Sequence, residues 1–226
     1  MMKLSPRLKK IVDFTDKCGV VADIGTDHAL VPVYLIENGL YKKAYACDIR
    51  PLPLKRAEKY IFSRNLSDKI TTIQTNGLQN VPDDTDTVVI AGMGGEMIID
   101  ILSSDISHHS ATFVLQAMTA VDSLREFLYK NGYQILDEDI VAEQQGRKLY
   151  SVIKTQKTDL PKDYSAIDVL LSPALQRKKS AEKEMYIKKL IFTRSKILEN
   201  INKSKIHDEN YINMITDEMN LLKECL

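Results

Sequence analysis

The stretch YQILDEDIVAEQQGRKLYSVIK, from Tyr133 to Lys154, contains two runs of strand-forming residues with only four residues between them. The runs are Tyr133–Glu143 and Lys148–Lys154, and QQGR alone separates them. A connection this short cannot contain a crossover helix, so the two strands must pair as a hairpin. The sequence therefore predicts a sheet that ends in an antiparallel pair.

Strands and helices alternate in the chain before this hairpin. The predicted strands are Val20–Ile24, Ala44–Asp48, Ile70–Thr75, Thr87–Ala91 and Thr112–Ala117. The predicted helices are Pro6–Asp16, Ala29–Asn38, Leu54–Asn65 and a short one near Glu96–Leu102. Such alternation is typical of βαβ units with parallel strands. Five βα steps and a final hairpin predict an α/β fold, the doubly wound, seven-stranded, Rossmann-like sheet of class I methyltransferases.

The chain changes character towards its C-terminus, where no glycine occurs from Ala174 onwards. Apolar residues recur there at steps of three and four. They are Ile187, Leu190, Ile197 and Ile201, with Arg194 in the middle, and then Ile212, Ile215, Met219, Leu222 and Leu226. This spacing predicts two helices in an antiparallel coiled-coil hairpin, broken around Ser204–Asp208. We expect a cofactor-binding domain over residues 1–160 and the helical hairpin over 161–226.

Charge is unevenly distributed along this hairpin, although the formal net charge of the 226 residues is zero. Ten lysines and arginines stand against three glutamates between Leu171 and Lys205, whereas Ile206–Leu226 has one lysine and five acids. The basic helix suits a phosphate backbone. The alternative is that its charges pair with the acidic helix. For the phosphate reading, the candidate residues are Arg177, Lys178, Lys179, Lys183, Lys188 and Lys189.

Several classes of protein are excluded by composition. No apolar run approaches the roughly 20 residues of a membrane span, and the N-terminal apolar stretch is too short for a secretory signal. We therefore expect a cytoplasmic protein without a membrane partner. The three cysteines form no metal-binding spacing with the four histidines, so we expect no metal. The sequence leaves the oligomeric state open, as a monomer or weak dimer.

Acidic residues occupy the first predicted strand-to-helix turn, in VVADIGTDHALVPVYL from Val20 to Leu35. A pyrophosphate would require a glycine-rich turn with free N–H groups, and Asp23 and Asp27 would repel it. Gly25 permits close backbone approach, while the two carboxylates attract an ammonium group. Asp27 alternatively caps the following helix.

Two later strand ends indicate an adenosine. Asp48 ends the second strand about 20 residues beyond the first turn, where an acid accepts hydrogen bonds from ribose hydroxyls. Asn76 and Gly77 follow the third strand, where Asn can read the edge of an adenine or merely form a turn. An adenosine with a cationic tail is S-adenosylmethionine. We assign the cofactor site to Asp23, Gly25, Asp27, Asp48, Ile49, Asn76, Gly77, Gly92 and Met93.

The chain resembles the bacterial tRNA (adenine-22-N1)-methyltransferase family over nearly its whole length. The strings that carry the resemblance are LSPRLKKI, DIGTDHALVPVYL, ACDIRPLPLKRAEKYI, NGLQ, VVIAGMGGEMI, FVLQAMTAVDSLREFL, NGYQILDEDIV and the C-terminal hairpin. DIGTDHA and IAGMGG are the most specific of them. The resemblance implies a class I fold, S-adenosylmethionine as cofactor and tRNA as substrate. One departure is that Ala117 and Met118 follow Gln116, where the family pattern has proline and a polar residue.

The segment IAGMGGEM follows the fourth strand, where base-modifying methyltransferases hold their target. Gly92, Gly94 and Gly95 leave backbone groups free to face a flipped-out base, or else simply form the turn before a helix. The reaction produces a cation, which a nearby acid stabilises. Asp27, His28 and Glu96 are the candidates for this role.

Three alternatives remain open at this point. A methyltransferase of small molecules would share the cofactor site but would have no use for a basic hairpin. A non-catalytic RNA-binding module would have lost cofactor binding. A nicotinamide-dependent oxidoreductase is disfavoured, because DIGTDH is not G-x-G-x-x-G and places acid where the pyrophosphate would lie.

Overall fold

The computed structural model describes residues 3–104, 108, 110–158, 160–203 and 208–226. The elements, in chain order, are α1 (Pro6–Phe14), β1 (Val20–Ile24), α2 (Leu30–Glu37), β2 (Lys43–Asp48), α3 (Pro51–Ser63), β3 (Ile70–Gln74), β4 (Thr87–Met93), α4 (Gly95–Ser103), β5 (Thr112–Ala117), α5 (Val121–Lys130), β6 (Tyr133–Glu143), β7 (Lys148–Lys157), α6 (Ala166–Leu170), α7 (Pro173–Gln176), α8 (Ala181–Lys203) and α9 (Glu209–Glu224).

The strands form one seven-stranded sheet in the order β3-β2-β1-β4-β5-β7-β6. β1 to β5 pair in parallel, and β7 is antiparallel to both β5 and β6. The predicted doubly wound sheet with a final antiparallel hairpin is therefore confirmed. Because β1 lies between β2 and β4, the strand order reverses beside β1, which is where such sheets bind ligands.

The predicted bounds are exact for β1, β5 and β6 and differ by one to three residues for the other strands. Tyr133–Glu143 is a strand from end to end as predicted, whereas the last strand continues three residues beyond Lys154. The third helix begins at Pro51, earlier than the predicted Leu54, because proline suits the first helical position. α5, α6 and α7 are additions to the predicted elements.

Two hydrophobic clusters cover the two faces of the sheet. Ile11 of α1 and Leu35 of α2 belong to the cluster on one face, and Ile98 of α4 and Leu124 of α5 belong to the other. All four side chains are fully buried. Helices on both faces of a largely parallel sheet are the arrangement that buries its strands.

The last two helices lie against the end of the sheet. α8 and α9 pack on each other, and Ile187 and Leu222 share a third cluster with Ile140 of β6. Arg194, in the middle of the apolar stripe, forms an ion pair with Glu218 of α9 at 2.6 Å. Most of the predicted break, residues 204–207, lies outside the described residues. The boundary near residue 160 remains our proposal.

Among the described residues, none of the helices combines the length and the apolar character that crossing a bilayer requires.

Candidate active site

Two adjoining cavities open at the carboxyl ends of the parallel strands. One has a volume of about 590 Å³ and is lined by Asp23 and Asp27, and we call it the Asp23 cavity. The other has a volume of about 850 Å³ and is lined by Asp48, and we call it the Asp48 cavity. Gly25 and Gly92 line both, so the cavities form one cleft across the strand-order reversal.

The backbone after β1 differs from a phosphate-binding loop. The N–H groups of Gly25 and Thr26 both donate to the carbonyl of Cys47, each at 2.8 Å, so neither is free to face a phosphate. Gly25 has a φ of +75°, and a Cβ there would lie 2.0 Å from Cε of Met93. The left-handed φ is the reason that this position needs glycine, since Met93 Cε is the end of a flexible side chain that can move aside.

Asp23 lies at the floor of the Asp23 cavity and is buried. Burial raises the pKa of its carboxyl to about 6; the neighbouring Thr26 side chain offsets part of this rise, and the charge of Asp48 adds to it. A buried carboxylate without a cation nearby is unfavourable, so a bound ammonium group would stabilise its ionised form.

The turn before α2 is held in an unusual conformation. His28 and Ala29 have φ values of 61° and 52°, in the left-handed region that residues other than glycine seldom adopt. The Asp27 side chain is 72% exposed at the cavity, and His28 Nε2 lies 3.5 Å from its Oδ1. Asp27 does not cap α2, because the N-cap residue is Ala29. His28 does not line either cavity of the cleft.

Asp48 is buried at the end of β2 and is oriented by its neighbour. Its Oδ1 accepts hydrogen bonds from the Arg50 backbone N–H at 2.8 Å and from Arg50 Nε at 3.3 Å. Ile49, Asn76 and Gly77 line the same cavity. Gly77 has a φ of +58°, which is typical of a turn, so the Asn-Gly turn itself forms part of the cavity wall.

The glycines after β4 have different surroundings. Gly92 and Gly94 line the Asp48 cavity together with Met93. Gly95 is buried, its N–H donates to the Thr119 carbonyl at 2.9 Å, and a Cβ would lie 2.3 Å from the Ala120 carbonyl oxygen. Close packing against the β5–α5 turn requires glycine at this position and keeps Gly95 out of both cavities, so its assignment to substrate stays a prediction without support from the geometry. Glu96 is exposed in the first turn of α4 and lines neither cavity.

Arg7 and Gln116 were not predicted as site residues. Gln116 is fully buried at the end of β5, and its Oε1 accepts from Arg7 Nη1 at 2.6 Å and from the Gly92 N–H at 3.2 Å. Arg7 lines the Asp23 cavity, opposite in charge to the two aspartates. The signal in the sequence was a glutamine at the end of an otherwise apolar strand, FVLQ.

The six basic candidates near the start of the hairpin differ in exposure. Arg177, Lys179, Lys188 and Lys189 are exposed, and Lys178 pairs with Asp137 at 2.8 Å. Lys183 is buried, and its ammonium donates to the carbonyls of Gln176 and Lys178. The geometry does not support its assignment to phosphate binding, which stays a prediction, because the ammonium is held by the backbone carbonyls around the end of α7. Arg194–Glu218 is the one ion pair seen between α8 and α9 within the described parts of the chain, so mutual pairing explains little of the basic excess.

Comparison with known proteins identifies the family of this chain. Residues 4–153 match a family described as a methyltransferase domain. The tRNA (adenine(22)-N(1))-methyltransferase of Bacillus subtilis is 32% identical over 238 residues, which cover 100% of this chain and 98% of that protein. The chain belongs to the tRNA (adenine(22)-N(1))-methyltransferase family. The resemblance predicted from the sequence is thus confirmed.

Solved structures of tRNA (adenine(22)-N(1))-methyltransferases match the hairpin as well as the sheet. The B. subtilis enzyme TrmK has a TM-score of 0.87 at 29% identity, covering 100% of this chain and 99% of that one. TrmK from M. capricolum, in complex with S-adenosyl-homocysteine, has a TM-score of 0.83 at 28% identity, covering 99% and 97%. A Streptococcus pneumoniae protein in complex with S-adenosyl-L-methionine has a TM-score of 0.84 at 27% identity, covering 99% and 100%.

Proposed function

We propose that this chain transfers the methyl group of S-adenosylmethionine to N1 of adenine 22 in tRNA. The full-length match to the B. subtilis enzyme of that name carries the proposal. The geometry of the cleft supports it, because two cavities meet at the strand-order reversal and acids line both.

The residues of the cleft fit the cofactor part by part. Asp48 accepts hydrogen bonds from the ribose hydroxyls, and Asn76 pairs with the edge of the adenine. Asp23 and Asp27 receive the ammonium group of the methionine, while Arg7 donates to its carboxylate. When bound, S-adenosylmethionine supplies a methyl group on a positively charged sulfur. The loop after β1 has carboxylates and leaves no N–H free at Gly25. It therefore suits the cationic S-adenosylmethionine better than a dinucleotide, whose pyrophosphate is negatively charged.

The protein promotes the reaction more by positioning the adenine base than by transferring a proton. Adenine N1 already has a lone pair, so the base must be flipped out, oriented and desolvated, and no proton has to leave N1 before attack. Positive charge appears on the adenine ring as the methyl–sulfur bond breaks, and a carboxylate nearby stabilises it. Of the three candidates Asp27, His28 and Glu96, Asp27 alone lines the cleft, so we assign this role to Asp27.

Asp48→Ala should weaken S-adenosylmethionine binding by at least about tenfold, because hydrogen bonds to a charged group contribute roughly 1.5–3 kcal/mol each. Calorimetric titration of the cofactor measures the change. Asp68→Ala is the matched control, since Asp68 is exposed just before β3, at the amino ends of the parallel strands and so away from the cleft at their carboxyl ends. Equal affinities in the two variants would refute the ribose assignment.

The substrate side of the proposal depends on the exposed charges of the hairpin. Arg177, Lys179, Lys188 and Lys189 lie within 13 residues of one another at the start of this segment, and none pairs with α9 among the described residues. Positive charge that is not neutralised within the protein is available for phosphates. The hairpin is therefore proposed as the tRNA-binding surface.

Neutralising Arg177, Lys179, Lys188 and Lys189 to glutamine should weaken tRNA binding and flatten its salt dependence. The slope of log affinity against log salt should fall by roughly 0.7–0.9 for each phosphate that the variant no longer binds. Fluorescence anisotropy with unmodified tRNA at several salt concentrations measures both quantities. Lys42→Gln with Lys69→Gln, at the opposite edge of the sheet, is the control. Unchanged slopes in the hairpin variant would show that these four residues do not contact tRNA phosphates.

Transfer of labelled methyl from S-adenosylmethionine to unmodified bacterial tRNA tests the reaction itself. We expect label in tRNA, dependent on Asp48. Label only in small molecules would indicate a small-molecule methyltransferase, and tRNA binding without cofactor binding would indicate a non-catalytic RNA-binding module.

A further inference from the structure

A third cavity, of about 400 Å³, lies between the β5–α5 turn and α8, and we call it the hairpin cavity. Met118 and Thr119 line it from the turn, while Lys189, Leu190 and Thr193 line it from α8. Its volume is within the range of small-ligand sites. It shares no lining residue with the Asp23 and Asp48 cavities, so it is a separate opening in the described part of the chain.

The hairpin cavity and the cofactor cleft lie on either side of the β4–α4 loop. The Met118 N–H donates to the Met93 carbonyl at 2.7 Å, and the Gly95 N–H donates to the Thr119 carbonyl at 2.9 Å. Met93 and Gly94 line the Asp48 cavity, where the methyl donor is proposed to bind. A ligand in the hairpin cavity would thus lie one loop away from the reacting base.

The lining of the hairpin cavity has the kinds of chemical group through which proteins bind single-stranded RNA. Lys189 has no carboxylate partner within the described residues, whereas the two arginines of the wall, Arg125 and Arg194, are each paired with a glutamate. Met118 is 45% exposed and Leu190 is half-buried, so apolar surface is available to the face of a base. Phosphate charge, stacking and hydroxyl contacts are how proteins hold unpaired nucleotides.

We propose that the hairpin cavity holds one nucleotide of the substrate tRNA, adjacent in the strand to the target adenosine. Its phosphate lies on Lys189, and its base contacts Met118 and Leu190. The inference rests on the proposed function and deepens it, because it specifies how the hairpin and the catalytic domain grip one strand together.

The charges of the cavity favour a neighbouring nucleotide over other occupants. Asp122 also lines it, so a single phosphate is accommodated better than the two or three of a free nucleotide cofactor. The target adenine itself must reach the cofactor cleft on the other side of the β4–α4 loop. Flipping removes the stacking between the target adenine and its strand neighbour, and the cavity would receive that neighbour.

Lys189 and Lys196 form a matched pair for the test. Lys196 lies further along α8, is 51% exposed, forms an ion pair with Glu199 at 2.7 Å and lies outside the cavity. Lys189→Ala should raise the KM for tRNA about tenfold with the S-adenosylmethionine affinity unchanged, whereas Lys196→Ala should stay within about twofold. Thr193→Trp, which fills the cavity, should raise the KM further, and Phe192→Trp, next to it on the exposed side, is its control.

A double-mutant cycle identifies the occupant. The substrate is tRNA with an abasic site on either side of the target adenosine, and the variant is Met118→Ala. In wild type, one abasic substitution should raise KM several-fold, and in the Met118 variant the same substitution should have little further effect. If wild type methylates tRNA while Lys189→Ala matches Lys196→Ala and Thr193→Trp is normal, the inference is wrong and the proposed function stands. If wild type methylates no tRNA, the proposed function is wrong and the inference falls with it.

Discussion

Replacing Arg125 by methionine should lower the free energy of unfolding by about 3–5 kcal/mol, because Glu138 would then be a buried carboxylate without its partner. Both side chains are fully buried, and Arg125 Nη2 lies 2.6 Å from Glu138 Oε1. Arg125 Nη1 also donates to the carbonyls of Val169 and Leu170, each at 2.9 Å. The guanidinium therefore ties α5 and β6 to α6, the segment that leads into the hairpin.

Urea denaturation measures this change as a shift in midpoint at constant m-value. Lys130→Met is the matched control, since Lys130 pairs with Glu126 on the same helix at 2.8 Å but is exposed, so that its loss should change the stability little. The double variant Arg125→Met with Glu138→Met should recover much of the loss. An Arg125 variant no less stable than the Lys130 control would contradict the account.

Asp23→Asn should stabilise the cofactor-free protein and weaken cofactor binding at the same time. The pKa of Asp23 is raised by burial from 3.8 to about 6. The stability that comes from keeping this carboxyl protonated is fully present below pH 3.8 and is lost as the pH rises through 6. At pH 7.5 the asparagine variant should therefore be more stable by about 3 kcal/mol, since one pKa unit is equivalent to 1.36 kcal/mol.

The cofactor affinity should change in the opposite direction. The ammonium group stabilises the ionised carboxylate, so binding by wild type should weaken as the pH falls through 6, while the asparagine variant should bind roughly tenfold or more weakly at pH 7.5 and show a flatter dependence. Denaturation and calorimetry at pH 4.5, 6 and 7.5 measure both. A variant that is less stable at pH 7.5 and binds normally would make Asp23 a structural residue.

Much of the fold could be predicted because its signals are local. Strand runs such as Thr112–Ala117 are apolar and short, and the four-residue link before Lys148 permits only a hairpin. α5 could also have been predicted, since Leu124 and Leu128 follow helical spacing. α6 and α7 have five and four residues, which is too short for periodicity to indicate a helix.

The site was less predictable where distant parts of the chain meet. Gly95 is required by the backbone at Ala120, and Lys183 is buried because the carbonyls of Gln176 and Lys178 lie within its reach. Neither contact has a local sequence signal. The positions of Asp23 and Asp48 in the cleft were predictable, because the carboxyl ends of strands in a parallel sheet meet at one edge.

Primer extension on unmodified tRNA, after incubation with the protein and S-adenosylmethionine, tests the central claim most directly. A methyl group on N1 occupies the Watson–Crick edge of adenine and blocks copying. We predict a stop immediately before adenine 22, which disappears when the cofactor is omitted or when guanine replaces that adenine. Full-length copying of wild-type tRNA under conditions in which the protein binds both the cofactor and the tRNA would contradict the account.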